Sequence, residues 1–439
     1  MAQATVTVCF EQSVGPVKPM HAVNNGPQVA GESQKQQNFE EFKTLKIPYA
    51  RNHDANHSYI YGGPHTVDVH SVFPNFEADE NDPESYDFAC TDKYTAEIFA
   101  AGTKVFYRLG ASIEHTVKKY HILPPKDFHK WARICEHIIR HYTQGWGNGF
   151  RYDIEYWEIW NEPDLRSGAT WGGTREQFFD LYEVTAKHLK KCFPHLKIGG
   201  PAIAHDEKWA AAFLGEMQNR KAPLDFFSWH IYCVEPAKMV AKAQRIRKLL
   251  DAHGFAGIES INNEWNYVKG WAEEWVYSLE TMGSMKGAAF TGACMLACQD
   301  GPVDMMMYYD ARVGCSMNGL FDPRTLRPLK GYYVFQLFSR LYELGTAVRT
   351  SVQGEHLYAV AAKDGHGEQA CMIVCYTDDD TVGGQTVRFD LGNGQYEVFL
   401  VDENHSGERI CILNACCALT LGRNSAVLLK KVRQPEDDI

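Results

Sequence analysis

YWEIWNEP at residues 156–163 and IESINNEWNY at residues 258–267 are the two stretches of sequence that decide the fold. Each has isoleucine and aromatic residues in a short strand-like pattern, and each carries a glutamate beside asparagine near its end. A helical pattern follows each stretch. A strand followed by a helix and then another strand is typical of parallel strands joined by crossover helices.

The same alternation extends from about residue 16 to about residue 345 and predicts one large domain. It predicts eight strands, at residues 20–26, 47–53, 104–110, 156–163, 196–204, 224–232, 258–267 and 287–296. Helical patterns lie between them, including one with Trp131, Ile134, Ile138 and Ile139 on one face and a last one at about 330–344. Eight such steps predict a (β/α)8 TIM barrel over residues 16–345. A doubly wound sheet is the alternative, but the sequence contains no glycine-rich phosphate-binding motif of the usual kinds.

The pattern changes after residue 345. Segments such as HLYAVAAK, QACMIVCY and QYEVFLV alternate apolar and polar residues, with glycine, asparagine and aspartate between them. This pattern predicts an all-β sandwich over residues 346–439. The opening strand ATVTVCF, within residues 1–15, has the same alternation, and we expect it to join that domain.

The composition excludes several classes of partner. The chain has 439 residues and a formal net charge of −11. An acidic surface without a basic run disfavours nucleic acid and anionic membranes as partners. Because the sequence shows no leader pattern and no long apolar span, and its 13 cysteines are scattered, we expect a cytoplasmic protein. The 10 Trp and 22 Tyr would suit a sugar-binding cleft, although a large core would also use them.

Two glutamates occupy the positions where a barrel carries its active site. Glu162 ends the predicted fourth strand and Glu264 ends the predicted seventh, at the carboxyl-terminal face. In a closed ring of eight strands these two strands face each other, so both carboxylates can flank one bound molecule. Glycoside hydrolysis needs one protonated and one ionised carboxyl group in such a position. The alternative is that both glutamates merely cap strands, but their matching positions favour the catalytic interpretation.

The neighbours of the two glutamates suit this chemistry. Asn161 can bond a sugar hydroxyl, and Trp265 can form a wall of the pocket. Tyr232, at the end of the sixth strand, can hold Glu264 ionised through its hydroxyl group. Glu158, on the fourth strand, is expected to point into the barrel and bond Arg51.

Further substrate-binding candidates follow the other strands. His53 and Asp54, after the second strand, are predicted to line the sugar pocket. Glu114 and His115, after the third strand, are candidates for a subsite, and Trp171 is a candidate stacking platform. Ordinary loop or barrel-wall structure is the alternative interpretation for each of them.

Metal and nucleophilic chemistry have weaker support. His53 and His57, like His137 and His141, stand four residues apart, but neither pair has the glutamate of a zinc-binding HExxH motif. No G-x-S-x-G elbow is present. We therefore predict no metal and no cofactor.

The motifs WEIWNEPDL and NNEWNY resemble those of the clan A glycoside hydrolases, and among them family 39. Further matching pieces are RNHD at 51–54, YRLG at 107–110 and FFSWHIY at 226–232, and the resemblance extends over nearly the whole chain. It implies a retaining, exo-acting glycosidase, with Glu162 as acid/base and Glu264 as nucleophile. It also implies that Asn161 contacts the 2-hydroxyl group, and that His230 and Tyr232 stand beside the nucleophile.

The resemblance leaves the substrate open. The family includes β-xylosidases, α-L-iduronidases and enzymes that act on arabinose- or galactose-containing glycans, and we predict a β-xyloside-type pentosyl substrate ahead of α-L-arabinofuranosides and β-glucosides or galactosides. Asp54 stands where the xylosidase pattern commonly has glycine, and Arg312 is the one candidate cation for a uronate. A non-catalytic carbohydrate-binding barrel is the alternative of another class. A homo-oligomer is possible, with the sandwich as a contact.

Overall fold

The computed structural model describes residues 4–29, 36–58, 62–114, 116–165 and 168–433. Within them, eight parallel strands close into a barrel and a second, seven-stranded sheet follows. Because the barrel strands alternate with helices along the chain, the predicted (β/α)8 fold with a carboxyl-terminal β domain is confirmed.

The strands are β1 (Ala4–Pro16), β2 (Ala22–Asn24), β3 (Tyr49–Arg51), β4 (Asn56–Ser58), β5 (Gly62–His65), β6 (Lys104–Leu109), β7 (Tyr156–Ile159), β8 (Lys197–Ile203), β9 (Phe226–Cys233), β10 (Glu259–Tyr267), β11 (Met305–Tyr308), β12 (Thr346–Gln353), β13 (Leu357–Lys363), β14 (Gln369–Cys375), β15 (Gln385–Val401), β16 (Ser406–Leu421) and β17 (Ser425–Lys431). The α-helices are α1 (Phe39–Thr44), α2 (Val69–Val72), α3 (Ala89–Ala100), α4 (Phe128–Thr143), α5 (Arg175–Cys192), α6 (Glu207–Arg220), α7 (Pro236–Ala252), α8 (Trp275–Met282), α9 (Met285–Ala297) and α10 (Lys330–Tyr342). Two short 3₁₀ helices cover Pro83–Ser85 and Trp146–Asn148.

The barrel closes in the order β2-β3-β6-β7-β8-β9-β10-β11, and β11 pairs back to β2. Two layers of apolar residues stabilise it. A smaller cluster inside the barrel includes Phe106, Tyr156 and Phe226. A much larger cluster fills the space between the strands and the surrounding helices, as it does in other TIM barrels. In α4 it contains the four residues that the sequence pattern places on one face.

The predicted eighth strand at residues 287–296 is wrong. This segment belongs to helix α9, and the eighth strand is the short β11 that follows it. Every residue from Met285 to Leu296 is buried, because α9 lies between the barrel and the second sheet and has no solvent-facing side. A helix without a polar face has no visible helical period, so its apolar run cannot be told from a buried strand.

The second sheet incorporates the amino-terminal strand, as predicted. Strand β1 pairs antiparallel with β12 and parallel with β15, so the order β1-β12-β13-β14-β17-β15 returns to β1. A separate apolar core, including Val6, Phe389 and Val427, lies within this sheet. Its strands therefore form a two-layered β domain around their own core, with β16 added at one edge.

The barrel and the second sheet share a continuous core. Helices α9 and α10 contact strands β13, β14 and β17, and Met372, Val374 and Leu428 of that sheet belong to the same buried cluster as the barrel helices. At the centre of this contact Phe290 of α9 lies 5.5 Å, between ring centroids, from both Tyr267 of β10 and Tyr376. No described helix has the length and apolar character needed to span a bilayer.

We predict that Phe290→Ala strongly destabilises the protein. Truncating a fully buried phenylalanine leaves a cavity and costs about 3–5 kcal/mol, here at the joint between barrel and sheet. Urea unfolding followed by tryptophan fluorescence measures the change. The matched control Val276→Ala, at a position that is 64% exposed, should leave the midpoint nearly unchanged. Equal midpoints for both variants would contradict a shared core.

Candidate active site

Glu162 stands just beyond β7 in a tightly fixed turn. Its backbone N–H donates to the carbonyl of Ala202 (3.0 Å), and its own carbonyl accepts from the hydroxyl of Thr170 (2.6 Å). Asp164 accepts three backbone N–H groups from residues 204–206. These bonds tie the loop after β7 to the end of β8. The loop can therefore hold Glu162 with φ at +48°, in the left-handed region that side chains seldom adopt.

Glu264 lies within β10 and is fixed through both carboxyl oxygens. Oε1 accepts a hydrogen bond of 2.5 Å from the hydroxyl of Tyr232, and Oε2 lies 3.3 Å from Nη1 of Arg51. The predicted bond between Tyr232 and Glu264 is thus present. It follows from the register in which β9 and β10 pair, with Asn266 opposite Tyr232 and Glu264 opposite His230.

The two glutamates come together across the barrel mouth. The Nδ1 atom of His230 lies 2.8 Å from Oε1 of Glu162 and 3.4 Å from Oε2 of Glu264. One oxygen of each glutamate and the histidine nitrogen all lie within 4.8 Å of one another. Both glutamates are only 7% exposed, so the pair forms a largely desolvated centre that opens to the mouth.

Arg51 is buried beside this pair and forms hydrogen bonds to several side chains around it. Its Nε atom donates to Glu158 at 2.7 Å, as the sequence predicts, and Nη2 donates to Oδ1 of Asn161 at 2.7 Å. Nη1 donates to Oδ1 of Asn24 at 3.1 Å, besides facing Glu264. A buried guanidinium needs such partners, and through them Arg51 of β3 orients side chains from β2, from β7 and the loop after it, and from β10.

The environment separates the proton affinities of the two glutamates. Burial raises the pKa of Glu162 to about 8, and the charge of Asp164 adds to the rise. Burial also raises the pKa of Glu264, to about 7, while the charge of Arg51 and the hydrogen bond from Tyr232 oppose the rise. Burial lowers the pKa of His230 to about 4. Near pH 7.5 Glu162 therefore keeps its proton more readily than Glu264, and His230 is neutral.

Asn161, His53 and Asp54 are also placed at this centre. The Nδ2 atom of Asn161 is buried and has no hydrogen-bond partner among the described residues, which leaves it available to a ligand. His53 accepts a hydrogen bond from Nε of Arg108 at 3.1 Å, and its Nε2 lies 3.2 Å from Asp54. Asp54 is 8% exposed and accepts from the hydroxyl of Tyr309 at 2.8 Å.

The structure does not support the predicted roles of the two tryptophans. Trp265 faces away from the barrel interior and packs on Phe290, because it alternates with Glu264 along β10. Trp171 is buried against Trp160, and its indole N–H donates to the carbonyl of Thr174. Neither ring can line the site.

Glu114 is used within its own loop, because its carboxylate accepts the backbone N–H groups of Tyr120 and His121. The fourth candidate, His115, lies outside the described residues. Arg312 is paired with Asp310 and with the carbonyl of Asp54, so it is not a free cation for a uronate.

Sequence reasoning missed Tyr309. It follows β11 directly and bonds Asp54 across the mouth. Because the sequence pattern places the eighth strand at residues 287–296, the stretch MMMYYD at 305–310 falls outside every predicted strand. A short β-rich run followed by aspartate is the signal that could have identified it.

Spacing alone would allow Glu162, His230 and Glu264 to share a cation. The guanidinium of Arg51 already places a positive charge 3.3 Å from Glu264, and this charge opposes a divalent ion there. A second group of possible ligands, Glu136, His188 and Cys192, lies on helices α4 and α5.

The fold and the site together place this protein in a class: closed α/β barrels that carry two buried glutamates, facing each other, at the barrel mouth. A family model described as glycosyl hydrolases family 39 matches residues 6–277. The chain belongs to this family, as the sequence motifs indicate.

Individual proteins with similar sequences or structures are consistent with membership of this family. The chain is 32% identical over 186 residues to a β-xylosidase of Geobacillus stearothermophilus, a match that covers 40% of this chain and 36% of that protein. The matched region thus spans about a third of that relative. Among solved structures, a glucosidase from Croceicoccus marinus covers 99% of this chain and 100% of its own, with a TM-score of 0.81 and 21% identity. A monomeric β-xylosidase from Caulobacter crescentus covers 98% and 99%, with a TM-score of 0.69 and 18% identity. These two structures share the fold.

We predict that Arg51→Met lowers the free energy of unfolding by about 3–5 kcal/mol, because it leaves the buried carboxylate of Glu158 without its charged partner. Thermal or urea unfolding of the variant measures this loss. Arg349→Met, at an exposed position of β12, is the control and should change stability little. If Arg51→Met unfolds at the midpoint of the unaltered protein, Arg51 does not hold the site together.

Proposed function

We propose that this protein is a retaining, exo-acting glycoside hydrolase that removes a terminal pentosyl residue. Glu264 acts as the nucleophile, and Glu162 acts first as general acid and then as general base. The observation that carries the proposal is the buried pair itself, in which one carboxyl oxygen of Glu162 lies within 4.8 Å of one carboxyl oxygen of Glu264. Retaining enzymes have carboxyl groups about 5–5.5 Å apart, whereas inverting enzymes need about 6.5–9.5 Å to admit a water molecule.

The proton affinities support the assignment of roles. Glu162 holds its proton to the higher pH and can donate it to the leaving oxygen while Glu264 attacks the anomeric carbon. This step forms a covalent glycosyl–enzyme bond as the glycosidic bond breaks. Water then attacks the same carbon, gives its proton to Glu162 and releases the sugar with its original configuration.

The remaining contacts suit a sugar between the two glutamates. The free Nδ2 of Asn161 can donate to the 2-hydroxyl group, because Arg51 holds the other end of the same amide. Tyr232 bonds one oxygen of Glu264 and leaves the other beside Arg51 and His230. Such fixed donors stabilise an ionised nucleophile without reorganisation.

A β-xyloside is the proposed substrate, since the G. stearothermophilus relative is described as a β-xylosidase. We also propose that His53 and Asp54 bind the reacting sugar from the side of β3, where they are held by Arg108 and Tyr309. A cytoplasmic location and assembly into a homo-oligomer remain proposals.

The decisive experiment combines a panel of aryl glycosides with NMR observation of the sugar first released. We expect hydrolysis of aryl β-xylosides with the β-anomer as initial product. Release of the α-anomer would overturn the retaining mechanism. No hydrolysis of any glycoside would favour a carbohydrate-binding protein.

We predict that Glu264→Ala loses at least about 10³-fold in kcat, because no covalent intermediate can form.

We predict that Glu162→Ala loses about 10²–10⁴-fold in kcat on substrates with poor leaving groups and much less on activated aryl glycosides. Added azide should restore turnover in Glu162→Ala and give a β-glycosyl azide. The exposed Glu280→Ala serves as the control with full activity. A Glu264→Ala variant that retains normal turnover would exclude this nucleophile.

We predict a bell-shaped pH dependence of kcat/KM with limits near pH 7 and pH 8. Activity rises as Glu264 loses its proton, with a pKa of about 7, and falls as Glu162 loses its own, with a pKa of about 8. Tyr232→Phe removes a hydrogen bond that lowers the pKa of Glu264, so the acidic limb should move to higher pH while the alkaline limb stays. If only the alkaline limb moves, the two roles are exchanged.

A further inference from the structure

We propose that Trp271 is a stacking platform for the leaving group of the substrate, an inference that rests on the proposed function. Trp271 lies in the loop between β10 and α8, and its side chain is 60% exposed. Tryptophan is a highly buried residue on average, and a ring this exposed beside a reaction centre is a candidate for contact with a ligand. The motifs that identify the two glutamates do not include it.

The position of the ring links it to the nucleophile. The rings of Trp271 and Tyr232 form a T-shaped contact, with centroids 5.0 Å apart and planes at 78°. The hydroxyl of Tyr232 bonds Glu264 at 2.5 Å. One aromatic ring therefore separates Trp271 from the attacking carboxylate, which places it at the edge of the same site.

The exposure of Trp271 relative to the two glutamates indicates which part of the substrate its ring contacts. The two glutamates are 7% exposed, Tyr232 is half-buried, and Trp271 is the most exposed of the series. The anomeric carbon must lie between the buried carboxyl groups. In an exo-acting enzyme the terminal sugar fills the closed end, so the leaving group extends outward past the ring.

The loop that carries Trp271 is held in place before any substrate arrives. Tyr267 and Lys269 both bond Asp378, in the loop after β14 of the second sheet, at 2.6 and 3.3 Å. The backbone N–H of Lys269 donates to the hydroxyl of Ser278 (3.0 Å). Trp275 stacks on Trp271, with centroids 5.1 Å apart and planes at 23°. A platform fixed in this way loses little conformational entropy when it binds.

The chemistry of an indole ring fits two kinds of leaving group. Its flat apolar face can cover the C–H face of a second sugar in a disaccharide or the ring of an aryl group. A leaving group without a ring, such as azide, is too small to use the platform. Comparison of these substrates therefore isolates the contact that we propose.

The test compares Trp271→Ala, Trp271→Phe and the control Val276→Ala, an exposed neighbour in α8. Each is assayed with a disaccharide, an aryl glycoside and a glycosyl azide that carry the sugar accepted by the unaltered protein. For Trp271→Ala we expect kcat/KM to fall about ten-fold on the first two, mainly through KM, and to change less than two-fold on the azide. Trp271→Phe should recover most of the loss, and Val276→Ala should match the unaltered protein.

Three results would overturn the proposal. An equal loss on the azide would mean that Trp271 acts on the terminal sugar or on Tyr232. Unchanged kinetics on all three substrates would mean that the ring binds no leaving group, and a change of oligomeric state in Trp271→Ala would assign the ring to a protein contact. Failure of the proposed function itself looks different, because the unaltered protein would then hydrolyse none of the glycosides.

Discussion

The buried guanidinium of Arg51 is the interaction on which the rest of the site depends. It stands at the end of β3 and reaches the side chains of Glu158, Asn161 and Glu264. A charge enclosed in a barrel is stable only while its carboxylate partners stay in place. The same bonds that satisfy this charge hold Glu264 and the residue before Glu162 in one network and leave Nδ2 of Asn161 free. The stability of the barrel and the arrangement of the glutamate pair therefore both depend on the side chain of Arg51.

The sequence predicted most of the barrel because its strands and helices have different periods. The stretches around Glu162 and Glu264 are short strand-like segments between helical patterns, and the glutamates near their ends mark the mouth. The pairing of Tyr232 with Glu264 also followed from strand order alone. In each case a local pattern agreed with the position that the closed ring imposes.

The sequence failed where burial removed the pattern. Helix α9 is enclosed by barrel and sheet, so it has no polar side to reveal its period. Because of this error the eighth strand was predicted at the wrong residues, and Tyr309 was not recognised as part of the site. The predicted roles of the aromatic residues were wrong for a related reason. The residue type alone does not indicate whether a side chain on a strand or loop faces the site or the core. Trp265 and Trp171 belong to the core, whereas the exposed Trp271 carried no motif.

The pairing of β1 with β12 and β15 also has a consequence for how the chain acquires its structure. Thr5 pairs with Gln353 and with Arg388, so the barrel is an insertion between the first and second strands of the β domain. During synthesis β1 emerges early but finds its partners only after the whole barrel has been made. Contacts this distant in sequence close slowly, and until then β1 exposes unpaired edges to other chains. The β domain can therefore be completed only after the barrel has been synthesised, and its contacts with α9 and with the loop after β10 can form no earlier.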